Sequence, residues 1–201
     1  MPKLTEVRKS AYRITEPLVP FLKRRHITPT TLTWIGFAIS LGAAALIATG
    51  HLFLAGFVVL ASGFFDMLDG ALARHTNQVT RFGAVLDSTL DRVSEAVLLL
   101  AILAFYLTSG NQPTVGILIT GLALIGSPLV SYVRAKAETI GLECKIGLFT
   151  RAERVIVLTV GLLASHFSYA LVIALAIIAL FSFITAGQRL HYVLKQTRES
   201  P

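Results

Sequence analysis

Charge is scarce in this chain. Of its 201 residues only 14% are charged, 54% are hydrophobic and the mean hydropathy is +0.72. A soluble domain is nearer a quarter charged, so a water-soluble fold is excluded and one integral membrane domain spanning 1–201 is expected. Cysteine is almost missing too: Cys144 alone cannot build an intramolecular disulfide framework and reads as an incidental thiol. No apolar run stands directly behind a short basic n-region. The opening MPKLTEVRKSAYRITEPLVPFLKRRH is polar and basic, so no cleaved signal peptide is expected. The five histidines and one cysteine show no ligand spacing, which argues against zinc.

What is present is a series of apolar runs. A span needs about 20 mostly apolar residues. Thr31 to Gly50, His51 to about Met67, Val85 to Leu107 and Val115 to Val133 supply four. Between Arg154 and Arg189 there is no residue charged at neutral pH. As one helix that stretch would run about 51 Å, too long for a hydrocarbon core of about 30 Å, so a break at SHFS, 165–168, makes it two short spans. The expected fold is all-α, with six transmembrane helices. Residues 1–30 are the cytoplasmic or interfacial N-terminal segment, and LTEVRKSAYRITEPLVPFL within it reads as an amphipathic helix on the membrane surface or a plain polar tail.

The 18 basic residues fall before span one, between two and three, between four and five, and after six; the turns TGH, TSGNQPT and SHFS carry none. The positive-inside rule then places both termini in the cytoplasm, in a multi-pass protein of the cell membrane whose active site faces the cytoplasm. The net charge of +7 is thereby explained as topology and attraction to anionic lipid headgroups, with no need for nucleic acid.

Against this apolar background stands FFDMLDGALARHTNQVTRFGAVLDSTLDRV, 64–93, with Asp66, Asp69, Asp87 and Asp91. Carboxylates in a membrane are expensive. Counting 1.5 Å per residue from His51 and Thr108 puts Asp66 about 22 Å deep and Asp91 about 26 Å deep. That is the cytoplasmic edge of the core, the level of lipid phosphates. Asp66 and Asp69 share one helical face, and Asp87 and Asp91 share another. Four such groups repel one another unless a cation sits between them, and all-oxygen ligands suit Mg²⁺, Mn²⁺ or Ca²⁺. Gly70, Ala71 and Ala73, with Gly83 and Ala84 opposite, leave room for a bulky ligand. Arg74, one turn from Gly70, suits a phosphate. Together these point to phosphoryl transfer from a diphosphate at the membrane surface. Two other readings remain open: a salt-bridge cluster with Arg74, Arg81 and Arg92, or the acids of a cation or proton transporter.

The pattern Asp66-x2-Asp69-Gly70-x2-Ala73-Arg74-x8-Gly83-x3-Asp87-x3-Asp91 resembles, at all eight fixed positions, the signature of the CDP-alcohol phosphatidyltransferases. The resemblance implies transfer of a phosphatidyl group from a CDP-linked lipid such as CDP-diacylglycerol to an alcohol, with CMP leaving. It implies two divalent ions, Mg²⁺ or Mn²⁺. Asp66, Asp69 and Asp87 would hold one, and Asp66, Asp87 and Asp91 would surround the other. Asp91 would be the general base. Gly70, Ala73 and Arg74 would contact the CDP moiety. Pro29 and Thr30, in ITPTTLT, and Thr80 would add CDP-lipid contacts. Family members form homodimers.

The acceptor is read from 127–158, where Arg134, Lys136, Arg151 and Arg154 gather by the same membrane face. A neutral alcohol needs no such cluster, whereas one bearing a phosphate does; ordinary positive-inside anchoring is the alternative. Ser131-Tyr132-x2-Ala135-x-Ala137-Glu138, then Arg151-x-Glu153-Arg154, then Gln188-Arg189 is similar to the phosphatidylinositol-phosphate synthase branch. That implies inositol 1-phosphate as acceptor, with Ser131, Arg151, Arg154 and Arg189 holding its phosphate and Arg134 and Lys136 beside them. Lys136 stands where the branch has arginine, and FTRAER where it has ERPER. Glycerol 3-phosphate, giving phosphatidylglycerol phosphate, is the rival acceptor.

Overall fold

The computed structural model describes residues 19–25, 27–76, 79–108 and 114–199. The expected N-terminal surface helix falls largely outside them. Every regular element described is α-helical: α1 Val19–Arg24, α2 Pro29–Ala48, α3 Leu52–His75, α4 Arg81–Thr108, α5 Thr114–Thr139, α6 Arg151–Leu163 and α7 Ala170–Glu199.

Four of these, α2, α3, α5 and α7, are long and apolar enough to cross a membrane, which makes this a multi-pass membrane protein. The expected third and fifth spans differ for identifiable reasons. Helix α4 has 28 residues, but Arg81, Asp87, Asp91, Arg92 and Glu95 lie along it up to its midpoint, so only the stretch from Ala96 onward is continuously uncharged. Helix α6 has 13 residues, about 20 Å, short of the hydrocarbon thickness. The expected break between the last two helices is present, with α6 ending at Leu163 and α7 starting at Ala170.

The chain forms two compact units, one of 1–42 with 58–94, the other of 43–57 with 95–201. In the first, Val19 and Leu22 of α1 bury against Leu32 of α2 and Leu68, Ala71 and Leu72 of α3, with Ile27, Phe64 and Phe65 around them. Helices α2 and α3 approach closely because Gly36 and Ser40 lie one turn apart on α2. Ser62 of α3 donates to the Gly36 carbonyl at 3.0 Å, and its Oγ lies 2.6 Å from that of Ser40. Small and hydroxylated residues are how helices associate where water supplies no hydrophobic drive.

In the second unit, α5 packs along α7, and α6 folds back on α7. Gly161 makes the latter crossing possible: a Cβ there would sit 2.5 Å from that of Ala174. The α5–α6 connection turns through Gly147, whose φ of +137° is open to glycine at low cost. A side chain at 147 would also strike Thr185 Cγ2 at 2.7 Å. Thr185 Oγ1 accepts from the Phe149 amide at 3.2 Å.

Candidate active site

The carboxylates lie in the first unit. Asp66, Asp69, Gly70, Ala73 and Arg74 all belong to α3, which continues unbroken to His75. Their spacing of three and four puts Asp66, Asp69, Gly70 and Ala73 along one side of that helix. Gly70 has a visible use. A Cβ on it would lie 3.2 Å from Arg74 Nη1 and 3.6 Å from Nη2, so the guanidinium lies back over the bare Cα one turn earlier. Asp87 and Asp91 stand one turn apart on α4, partly buried.

Asp69 is 5% exposed, the one buried carboxylate of the four. Its Oδ2 accepts from Thr33 Oγ1 at 2.8 Å. Thr33 also lies 3.1 Å from the Pro29 carbonyl, so the start of α2 is tied to the carboxylate through this hydroxyl. Asp66 rests on α2 as well: a Cβ on Gly36 would come within 2.8 Å of its Oδ1. The charges of Asp87 and Asp66 both reach Asp69. One face of α2 thus meets both carboxylates of α3, Thr33 holding Asp69 and the bare Gly36 leaving room for Asp66.

The donor set fits a hard divalent cation. It is oxygen only, it is rich in negative charge, and one oxygen of Asp69 is oriented by Thr33. Among the described residues no three His, Cys, Asp or Glu side chains are drawn close enough to make a ready cage.

The flanking contacts are helix starts. Pro29 is the first residue of α2, where its missing N–H costs nothing. Thr28 caps it, accepting from the Thr31 amide at 3.2 Å, and Thr30 is exposed. Thr80 precedes α4 and accepts from the Gly83 amide at 2.9 Å, so its hydroxyl serves as the helix cap.

The basic residues lie in the second unit. Arg134 is exposed and pairs with Glu138 at 2.9 Å. Ser131 is half-buried and Lys136 exposed on the same helix. Glu153 accepts from the Thr150 amide at 2.8 Å and fixes the start of α6, which sets Arg151 and Arg154 one turn apart. Arg154 is buried and donates from Nε and Nη2 to the two carboxylate oxygens of Glu95, the latter at 2.8 Å. Arg189, 4% exposed, donates from Nε to the Ile146 carbonyl at 2.8 Å and from Nη1 to that of Val130. The charges of Arg134, Arg154 and Glu138 all reach Arg189. A cluster with more guanidinium groups than carboxylates favours an anion.

Three participants were not singled out from the sequence: Thr33, Gly36 and Glu95. Each had a signal. Thr33 and Gly36 are small residues at helical spacing within or just after ITPTTLT, and Glu95 extends the run Asp87-x3-Asp91 by one further turn.

The family model for CDP-alcohol phosphatidyltransferase matches residues 26–187. The chain belongs to that family. As a CDP-alcohol phosphatidyltransferase it is an enzyme of phospholipid synthesis, and its relatives narrow the branch. It is 40% identical to the phosphatidylinositol phosphate synthase of Mycobacteroides abscessus over 92% of this chain and 86% of that one. It is 37% identical to the archaetidylinositol phosphate synthase of Methanothermobacter thermautotrophicus over 98% of this chain and all of that one. The phosphatidylinositol phosphate synthase of Mycobacterium tuberculosis, solved with CDP-DAG bound, superposes with a TM-score of 0.82 at 37% identity, over 90% of this chain and 94% of that one. The same relative in complex with manganese and citrate gives 0.83 at 36%, over 90% and 88%.

Proposed function

We propose that this transferase moves a phosphatidyl group from CDP-diacylglycerol to inositol 1-phosphate, releasing CMP and phosphatidylinositol phosphate. The observation that carries the donor half is the Asp66–Asp91 signature, with its buried Asp69 locked by Thr33. The acceptor half rests on Arg134, Arg154 and Arg189, whose charges share a neighbourhood. Relatives named phosphatidylinositol phosphate synthase and archaetidylinositol phosphate synthase, at 40% and 37% identity over nearly the whole chain, support the same acceptor.

The steps follow from the side chains. Gly70, Ala73 and Arg74 receive the diphosphate, the small residues giving space and the guanidinium a counter-charge. Pro29, Thr30 and Thr80 border the cytidine end. Asp91 takes the proton from the acceptor hydroxyl. The freed oxygen attacks the lipid-side phosphorus of the diphosphate, a new P–O bond forms there, and the bond to the CMP phosphate breaks with its electron pair leaving on CMP. Asp66, Asp69 and Asp87 would hold one Mg²⁺ or Mn²⁺, and Asp66, Asp87 and Asp91 a second; bound there, the ions offset charge on the diphosphate and on departing CMP. Ser131, Arg151, Arg154 and Arg189, with Arg134 and Lys136 nearby, hold the acceptor phosphate. Residues 1–201 work as one membrane domain of six spans, the partly charged α4 and the short α6 supplying the two that are less apolar. Both termini and the site are cytoplasmic, and the enzyme is a homodimer.

The test is CMP release by purified protein with CDP-diacylglycerol and Mg²⁺ or Mn²⁺. Inositol 1-phosphate, glycerol 3-phosphate, free inositol and serine are offered in parallel. Release with inositol 1-phosphate alone is expected. Release with glycerol 3-phosphate instead would keep the chemistry and replace the acceptor. No release with any alcohol, together with ion flux in liposomes, would replace the enzyme reading with transport.

A further inference from the structure

Arg154 and Glu95 form a buried ion pair, their side chains 2% and 11% exposed. Such a pair is a poor source of stability, because apolar residues of similar volume often do as well or better. The way it is used is more telling. Glu95 occupies Nε and Nη2, one edge of the guanidinium fork. Nη1 is buried and has no hydrogen-bond partner among the described residues. A buried donor of a charged group is unfavourable until something accepts from it. Glu95 itself sits one helical turn beyond Asp91 on α4, and no step of the transfer chemistry calls on it.

We infer that Glu95 is a positioning residue for the acceptor. It holds the Arg154 guanidinium in a single orientation, leaving Nη1 to donate to an oxygen of the acceptor phosphate. The inference rests on the reading of Arg154 as an acceptor-phosphate ligand. Orientation, not charge, is the contribution of Glu95. Its negative charge opposes that of Arg154, so a site working by net charge alone would bind a phosphate better without it. A guanidinium tied at one edge loses less freedom when a second anion arrives.

These two possibilities give opposite signs in Glu95→Gln, which keeps the size of the side chain and removes its charge. CMP release is measured with inositol 1-phosphate varied at fixed CDP-diacylglycerol, and the reverse. Thermal unfolding of the purified protein is followed alongside. Glu95→Gln should raise the acceptor KM about tenfold, the loss of one charge-assisted hydrogen bond, with the CDP-diacylglycerol KM nearly unchanged. Glu95→Asp should recover part of that loss. Arg154→Lys, which keeps the charge without the fork, should behave like Arg154→Ala. Glu95→Gln added to Arg154→Ala should cost nothing more. A lower acceptor KM in Glu95→Gln, or equal increases in both KM values, would overturn the inference. If Arg154→Ala raises the acceptor KM and Glu95→Gln does not, the inference alone fails. If Arg154→Ala spares the acceptor KM, the assignment of Arg154 fails with it. Should Glu95→Gln not purify folded, Glu95→Asp and Arg154→Lys decide the same question: a wild-type acceptor KM in both would overturn it.

Discussion

The two charged regions are built in opposite ways. In the first unit, negative charge is assembled by removing bulk. Gly36 makes room for Asp66, Gly70 for the Arg74 guanidinium, and the buried Asp69 accepts from a small neutral hydroxyl, that of Thr33. In the second unit, positive charge is tied down by partners. Arg154 is bound to Glu95, Arg189 to two backbone carbonyls and Arg134 to Glu138. The difference teaches what each region is prepared for. Carboxylates crowded with small neighbours need cations to bring them together. Guanidinium groups already held at one edge are set to receive a rigid anion at little further cost in freedom.

The largest effect should come from the carboxylates. Asp66→Asn or Asp87→Asn should abolish transfer while the protein still purifies folded, since each removes an oxygen charge without changing size. Measurable CMP release from either variant would end the metal model. Next is the room made for Asp66. Gly36→Val should cut kcat by about a hundredfold, as expected when a reacting group is displaced by about 1 Å; its Cβ would stand 2.8 Å from Asp66 Oδ1. Full activity would mean that Asp66 has freedom to move away.

On the other side of the comparison, Arg151→Ala should raise the acceptor KM by about tenfold or more, the cost of a charge-assisted hydrogen bond, and change that of CDP-diacylglycerol much less. Equal effects would remove the phosphate-binding role from α6. Thr33→Val is isosteric and should lower turnover by about tenfold through the freed Asp69 oxygen, with Thr33→Ser close to wild type. If Thr33→Val matches wild type in a metal titration and in kcat, the hydroxyl is merely structural. The smallest effect is expected of Thr80→Ala. Loss of the cap should lower stability by about 1 kcal/mol, read as a drop in Tm. A rise in the CDP-diacylglycerol KM with no change in Tm would mean that the hydroxyl serves the substrate more than the start of α4.

Much of the site was legible because it is local. Asp66, Asp69, Gly70, Ala73 and Arg74 lie on one helix, and helical periodicity alone places them together. Thr33, Gly36 and Glu95 were harder to find, since their partners are 36, 30 and 59 positions away in the chain. Their types are also unremarkable: a threonine and a glycine near a helix start, and a glutamate after two aspartates. Arg154 and Arg189 stand out in the sequence as basic residues near the same membrane face, but nothing in their spacing distinguishes a guanidinium held by a carboxylate from one held by backbone carbonyls.

By itself, then, the sequence determined the solvent and the chemistry. Scarcity of charge set a membrane environment, the placement of basic residues set an expected orientation, and four carboxylates in a fixed helical pattern called for hard cations and a phosphate substrate. All of these depend on composition and on neighbours within a few turns. Only the tertiary structure decided which oxygen of Asp69 is already engaged, why position 36 has no side chain, and that Arg154 shares its guanidinium with Glu95. Those facts depend on distances between helices far apart in the chain, and packing fixes such distances where periodicity cannot.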